Sequence, residues 1–157
     1  MSEEILELIK VWLKDELTYA ARLRKLADSL KHPVLKALFS AIAKDSEKHN
    51  LILTGMKEYL ENNRPFITEE DIDAIKKSIK EHIEEESHSI KELTRLKEQV
   101  KDPAILLLVE AMLEDEMRHH ALLVQIEKII AQKEKITDQE LWESLWLHSP
   151  YHGAPGG

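Results

Sequence analysis

The 157 residues carry 30 Asp and Glu against 22 Lys and Arg, for a formal charge of −8, and 43% of them are apolar. Lysines interleaved with glutamates form no basic stripe for counter-ion release, so nucleic-acid binding is not expected, while the apolar share is that of a globular chain able to bury a core. Cysteine is absent, which removes disulfides, thiolate zinc sites, iron–sulfur clusters and cysteine nucleophiles and leaves His and carboxylate as the available metal ligands.

Ser2, Glu3 and Glu4 lead into an amphipathic stretch that does not read as a secretory signal. No apolar run approaches the roughly 18 residues needed to cross a bilayer, and a cytoplasmic protein with no membrane segment is expected. Apolar residues three and four apart predict a first helix over 3–31. His32 and Pro33 end it and open a second over 33–62, since the missing proline N–H costs nothing at a first helical position. The link from Glu61 to Ile67 has a length that suits a crossover as well as a simple turn. Thr68 with Asp71 forms a capping-box pattern before a third helix over 69–101, and Asp102 before Pro103 is an N-cap for a fourth over 103–134. Thr137 with Glu140 opens a short fifth helix over 138–147. Two tight connections imply two antiparallel hairpins, and two hairpins imply an all-α four-helix bundle over 1–135, followed by a short helix and tail over 136–157.

The two hairpins repeat one another. A shift of 70 residues lays Pro33 on Pro103, and 12 of the 52 positions paired between 9–60 and 79–130 are identical without a gap. The repeat units run over about 5–62 and 69–134. Most identities are apolar, such as Leu38 with Leu108 and Leu53 with Leu123, as a shared core seam requires. The polar ones include Glu16 with Glu86, Asp45 with Asp115, and His49 with His119.

Helical spacing places these groups on the apolar rows. Ile105, Leu108, Met112, Glu116, His119 and Leu123 follow one another at three and four residues, so Glu116 and His119 belong to the inward stripe. Glu16 does so with Ile9, Trp12 and Leu23, Glu86 with Ile79 and Leu93, and His49 with Leu38, Ile42 and Leu53. Ser46 stands where the second repeat has Glu116. Three carboxylates and two imidazoles at one level of a core do not serve packing, because buried like charges repel and lose hydration. A cation relieves both penalties, and oxygen and imidazole donors without sulfur suit iron or manganese, with zinc also possible.

Asp115-Glu116-Met117-Arg118-His119 resembles the Asp-Glu-x-Arg-His signature of the ferritin-like di-iron carboxylate superfamily, which includes rubrerythrins, and the resemblance extends over about 5–130. It implies a ferritin-like four-helix bundle holding two non-haem irons. Glu16 and Glu86 would be the single carboxylates of the first and third helices, Glu116 and His119 the pair of the fourth, and His49 the imidazole of the second. It also implies that Asp115 orients His49 and that Asp45 orients His119. Ser46 departs from the pattern, replacing a carboxylate expected to bridge the metals. Glu47, roughly 100° further round the helix, does not reach that position without distortion. His82, one turn before Glu86, is the candidate for an extra ligand, set against a plain histidine satisfied by a neighbouring carboxylate. His88 and His120 are expected to face solvent or a subunit contact, and Tyr19 to lie in the core.

Trp142, Leu145 and Trp146 form one face of the fifth helix, ahead of His148-Ser149-Pro150-Tyr151-His152. Such a tail is expected to dock across the bundle end, on another subunit of a homo-oligomer, or in a larger shell. The resemblance implies a rubrerythrin-like oxidoreductase that reacts with peroxide or dioxygen, as a peroxidase or ferroxidase, with Glu16, Glu86 and Glu116 balancing the charge of the oxidised metal. Without a cysteine-ligated rubredoxin domain it would take electrons from a separate donor. The alternative is a non-catalytic iron- or manganese-binding or structural bundle, its site degenerate because of Ser46.

Overall fold

A computed structural model describes residues 2–62 and 66–132. Four helices follow in order: α1 (Ser2–Ser29), α2 (Pro33–Glu61), α3 (Glu69–Gln99) and α4 (Pro103–Gln132), and no strand occurs among the described residues. This is the all-α make-up expected of a four-helix bundle. The expected fifth helix, its Thr137 and Glu140 cap, and the Trp142 to His152 tail lie outside the described residues. No helix among the described residues is long and apolar enough to cross a membrane.

The helix ends follow local chemistry. α1 stops at Ser29, two residues before the expected end, where the Leu30 N–H turns back to the Ala27 carbonyl at 3.2 Å and Ser29 Oγ donates to the Leu26 carbonyl at 2.7 Å. The chain must straighten early because the residue before a proline avoids helical backbone angles, and His32 is extended with φ −73 and ψ 118. α3 likewise ends at Gln99, with Val100 already extended. This frees Asp102 to cap α4: its Oδ1 accepts the N–H groups of Ala104 at 2.8 Å and Ile105 at 3.1 Å. Thr68 and Asp71 form a reciprocal capping box, each side chain accepting the other's N–H at 3.1 and 3.2 Å. Asp in place of Glu therefore closes the box. Glu69, Glu70 and Asp71 in the first turn of α3 add charge of the sign its dipole favours.

Two compact units result, one on each hairpin, α1 with α2 and α3 with α4. The first buries Ile9, Ala20, Ala27, Ala43, Ser46 and Leu53. Three of these six are alanines, whose methyl groups allow close helix approach without side-chain ordering. Asn50 Nδ2 crosses from α2 to the Leu13 carbonyl of α1 at 3.1 Å, fixing the register. The second hairpin buries Ile72, Ile79, Val109, Ile129 and Ile130, a β-branched seam of stiff rotamers. Its Lys97–Glu110 ion pair, at 3.1 Å, is exposed on both sides and adds little. Gly55 lies in the last third of α2, exposed, with open space where a Cβ would project.

Candidate metal centre

The second hairpin assembles the fuller donor set. Glu116 and His119 stand one turn apart on α4, and Glu86 reaches the same place from α3, so that one ligand atom from each lies within 4.8 Å of the others. Glu86 Oε1 is 3.8 Å from His119 Nδ1, beyond hydrogen-bond reach. Glu86 Oε2 is buried and has no hydrogen-bond partner. The Glu116 carboxyl is held above its ordinary value near 4.5, first by a hydrogen bond with Glu86, then by burial and by the Glu86 charge; Asp115 adds to the effect and His119 opposes it. Two ionised carboxylates are acceptors only, so neither can satisfy the other, and both are better placed beside a proton or a cation.

These residues fit an iron or manganese ion. An orphaned buried carboxylate oxygen, a second carboxyl pushed toward protonation and an imidazole within 4.8 Å form an oxygen and nitrogen donor set in which a cation satisfies the oxygen and cancels the repulsion. An open recess of about 500 Å³, lined by Ser89, Leu93, Leu96, Met112 and Glu116 among others, leads to the Glu116 side.

The first hairpin holds a thinner version. His49 Nδ1 lies 3.2 Å from Glu16 Oε1, across the same 33-residue separation that relates Glu86 to His119. Ser46 is the buried polar residue of the described core, 8% exposed, on the ligand face one turn before His49. Glu47 beside it is occupied: Arg24 of α1 pairs with its Oε1, and Lys44 Nζ lies 3.0 Å from Oε2.

In both hairpins the carboxylates lie deeper than the imidazoles. Glu16 and Glu86 are 23% and 22% exposed at the side chain, His49 and His119 53% and 51%. The row carrying Glu16 leaves Trp12 and Tyr19 half exposed, so Tyr19 is not the core residue expected. His82 sits in the open on α3 with Nδ1 3.3 Å from Glu85 Oε2, apart from the Glu86, Glu116 and His119 group. Asp45 and Asp115 each engage a basic residue three positions on, Lys48 at 2.8 Å and Arg118 respectively. His88 is exposed as expected. His120 differs from expectation in being half-buried, its Nδ1 without a partner. The Arg24 link to Glu47 and the upward shift of the Glu116 carboxyl were not read from the sequence. The Lys44-x-x-Glu47 spacing was a usable signal for part of the first, whereas nothing local in the sequence marks the second.

Comparisons with curated proteins and with solved structures give no match. A family model described as Rubrerythrin matches residues 7–127, a span that contains every one of the donors above. The chain therefore belongs to the rubrerythrin family of ferritin-like di-iron carboxylate proteins.

Proposed function

We propose that the chain is a non-haem iron oxidoreductase that reacts with peroxide or dioxygen, and that Glu16, His49, Glu86, Glu116 and His119 hold its iron. The observation that carries this reading is the Glu86, Glu116 and His119 group, whose buried oxygen and raised carboxyl are strained by mutual repulsion without a cation. When bound, a pair of ferrous ions supplies the two electrons that, with two protons, reduce one hydrogen peroxide to two waters. The chain's own residues set the conditions. The carboxylates offset the charge gained on oxidation, and the imidazoles supply neutral nitrogen donors. Electrons for further cycles come from a separate donor, since cysteine ligands for an iron–thiolate centre are absent. The protein acts in the cytoplasm as a homo-oligomer.

A second reading has support of its own. Ser46, buried at the expected bridging position, and Glu47, already paired with Arg24 and Lys44, favour a binding module that holds iron or manganese without turnover. The test is stopped-flow absorbance after anaerobic loading with excess ferrous iron and mixing with peroxide. The oxidoreductase oxidises two irons per peroxide faster than the same iron free in buffer. Oxidation no faster than that of free iron supports the binding module, and failure to retain any metal removes both readings.

A further inference from the structure

We propose that Asn50 is a positioning residue for the metal centre: its hydrogen bond to the Leu13 carbonyl keeps α2 in register with α1 when a cation ends the hydrogen bond between His49 and Glu16. This rests on the reading that Glu16 and His49 hold iron, and gives a role to a residue outside the donor set.

The first hairpin closes along one seam. Ile9, Leu13, Glu16 and Ala20 share a row on α1, and Ala43, Ser46, Asn50 and Leu53 share one on α2, each at spacings of three and four. Asn50 is half-buried and follows His49 in the chain, and its Nδ2 donates to the Leu13 carbonyl at 3.1 Å, one turn before Glu16. Helical geometry commits one lone pair of that carbonyl to the N–H four residues on and leaves the second for Asn50, so the bond takes nothing from α1. Its acceptor is backbone, which cannot swing away as a side chain can.

In the metal-free chain a second bond supports the same register, with His49 Nδ1 3.2 Å from Glu16 Oε1. A cation held by these two atoms ends that bond, because a ligating nitrogen has no proton to donate. The Asn50 bond does not depend on the cation and persists. Arg24 with Glu47 also links the two helices, but the arginine side chain is 54% exposed and its long stem follows a shift of either helix, so it does not fix the spacing. The second repeat shows the same kind of pair without the latch. There the position paired with Asn50 is His120, whose Nδ1 has no partner, and Glu86 Oε1 stands 3.8 Å from His119 Nδ1, against 3.2 Å where Asn50 is bonded. Asn50 therefore carries more of the register in the loaded state than in the metal-free one, and its loss weakens binding more than it weakens the fold. The net strength of one such bond, about two- to tenfold in an equilibrium constant, bounds the effect.

Manganous ion tests this without redox chemistry. The full chain, stripped with chelator, is titrated with Mn²⁺ while the sharp paramagnetic resonance signal of free Mn²⁺ is followed, and its metal-free stability is read by urea unfolding. Asn50→Leu, close in shape and without a donor, is expected to raise the free Mn²⁺ at half-loading by about two- to tenfold while the urea midpoint in chelator stays near native. A bond that served the fold alone would give the reverse, a lower midpoint with native Mn²⁺ binding. His49→Ala is expected to weaken binding as well. The double variant is expected to bind no more weakly than His49→Ala does, because without the His49–Glu16 bond Asn50 contributes equally to both states. If Asn50→Leu loses its helical circular dichroism, Asn50→Ala is read in the same way. Native Mn²⁺ binding by either single variant, or losses that multiply in the double variant, overturn the positioning role and leave the metal-binding reading standing. No Mn²⁺ bound by the native chain at any concentration overturns both.

Discussion

Replacing Glu116 by Gln is expected to stabilise the metal-free protein and to weaken it relative to native once metal is added. In the metal-free state the substitution removes one of two carboxyl groups whose ligand atoms lie within 4.8 Å. Two full charges at that distance repel by about 1 kcal/mol in water and by about 3.5 kcal/mol at an effective dielectric constant of 20. Solvent reaches the site, since Glu86 is 22% exposed. The gain therefore falls near the lower figure, about 1 kcal/mol, or roughly 2–4 °C in Tm for a chain of this size. With Mn²⁺ at a hundred times its dissociation constant the native protein gains about 2.7 kcal/mol, roughly 5–11 °C. If losing the carboxylate weakens binding about a hundredfold, the variant gains only about 0.4 kcal/mol and the order of stabilities reverses. Thermal melts at pH 7, with chelator and with Mn²⁺, read both halves. A variant that melts below native protein in chelator, or that is raised by Mn²⁺ as much as native is, refutes the account of Glu116 as a strained ligand.

The same carboxyl sets a pH dependence. Because its folded value lies above 4.5, its contribution is fully present below that pH and is lost as pH rises through the raised value. Metal-free native protein should lose stability over that interval in denaturant titrations, and Glu116→Gln should flatten the decline. Thr68→Ala removes the Oγ1 that accepts the Asp71 N–H in the capping box at the start of α3 and should cost about 1 kcal/mol in urea unfolding, with helical signal retained. Gly55→Ala places a methyl group in open space on an exposed helix face and should stabilise by about 0.5–1 kcal/mol; a loss of stability would mean that α2 needs its glycine.

Where the sequence carries its own punctuation, structure was legible to within two residues. Pro33, Pro103, Thr68 and Asp102 act on the backbone within one turn of themselves, so their meaning survives any tertiary context. The same locality made Glu116 and His119 readable as one face of one helix, and the repeat joined Glu86 to them. Side-chain depth was less legible. A helical stripe says which face a residue shares and leaves open how far from the helix contact its tip extends. The carboxylates consequently lie deep while His49 and His119 stand half exposed. Partner choice was least legible. Asp45 has Lys48 within one turn, and His82 has Glu85. Such short-range pairs differ from longer-range ones by a few tenths of a kcal/mol, too little for spacing alone to rank.

The donor pairs have a further consequence for how the protein is made. Glu16 meets His49, and Glu86 meets His119, each within a single hairpin closed by a three-residue turn. On the ribosome, every residue of the earlier pair has been added before α3 begins, and each pair needs only a short stretch of chain to find itself. The earlier pair is therefore complete in the chain before either residue of the later one has been added.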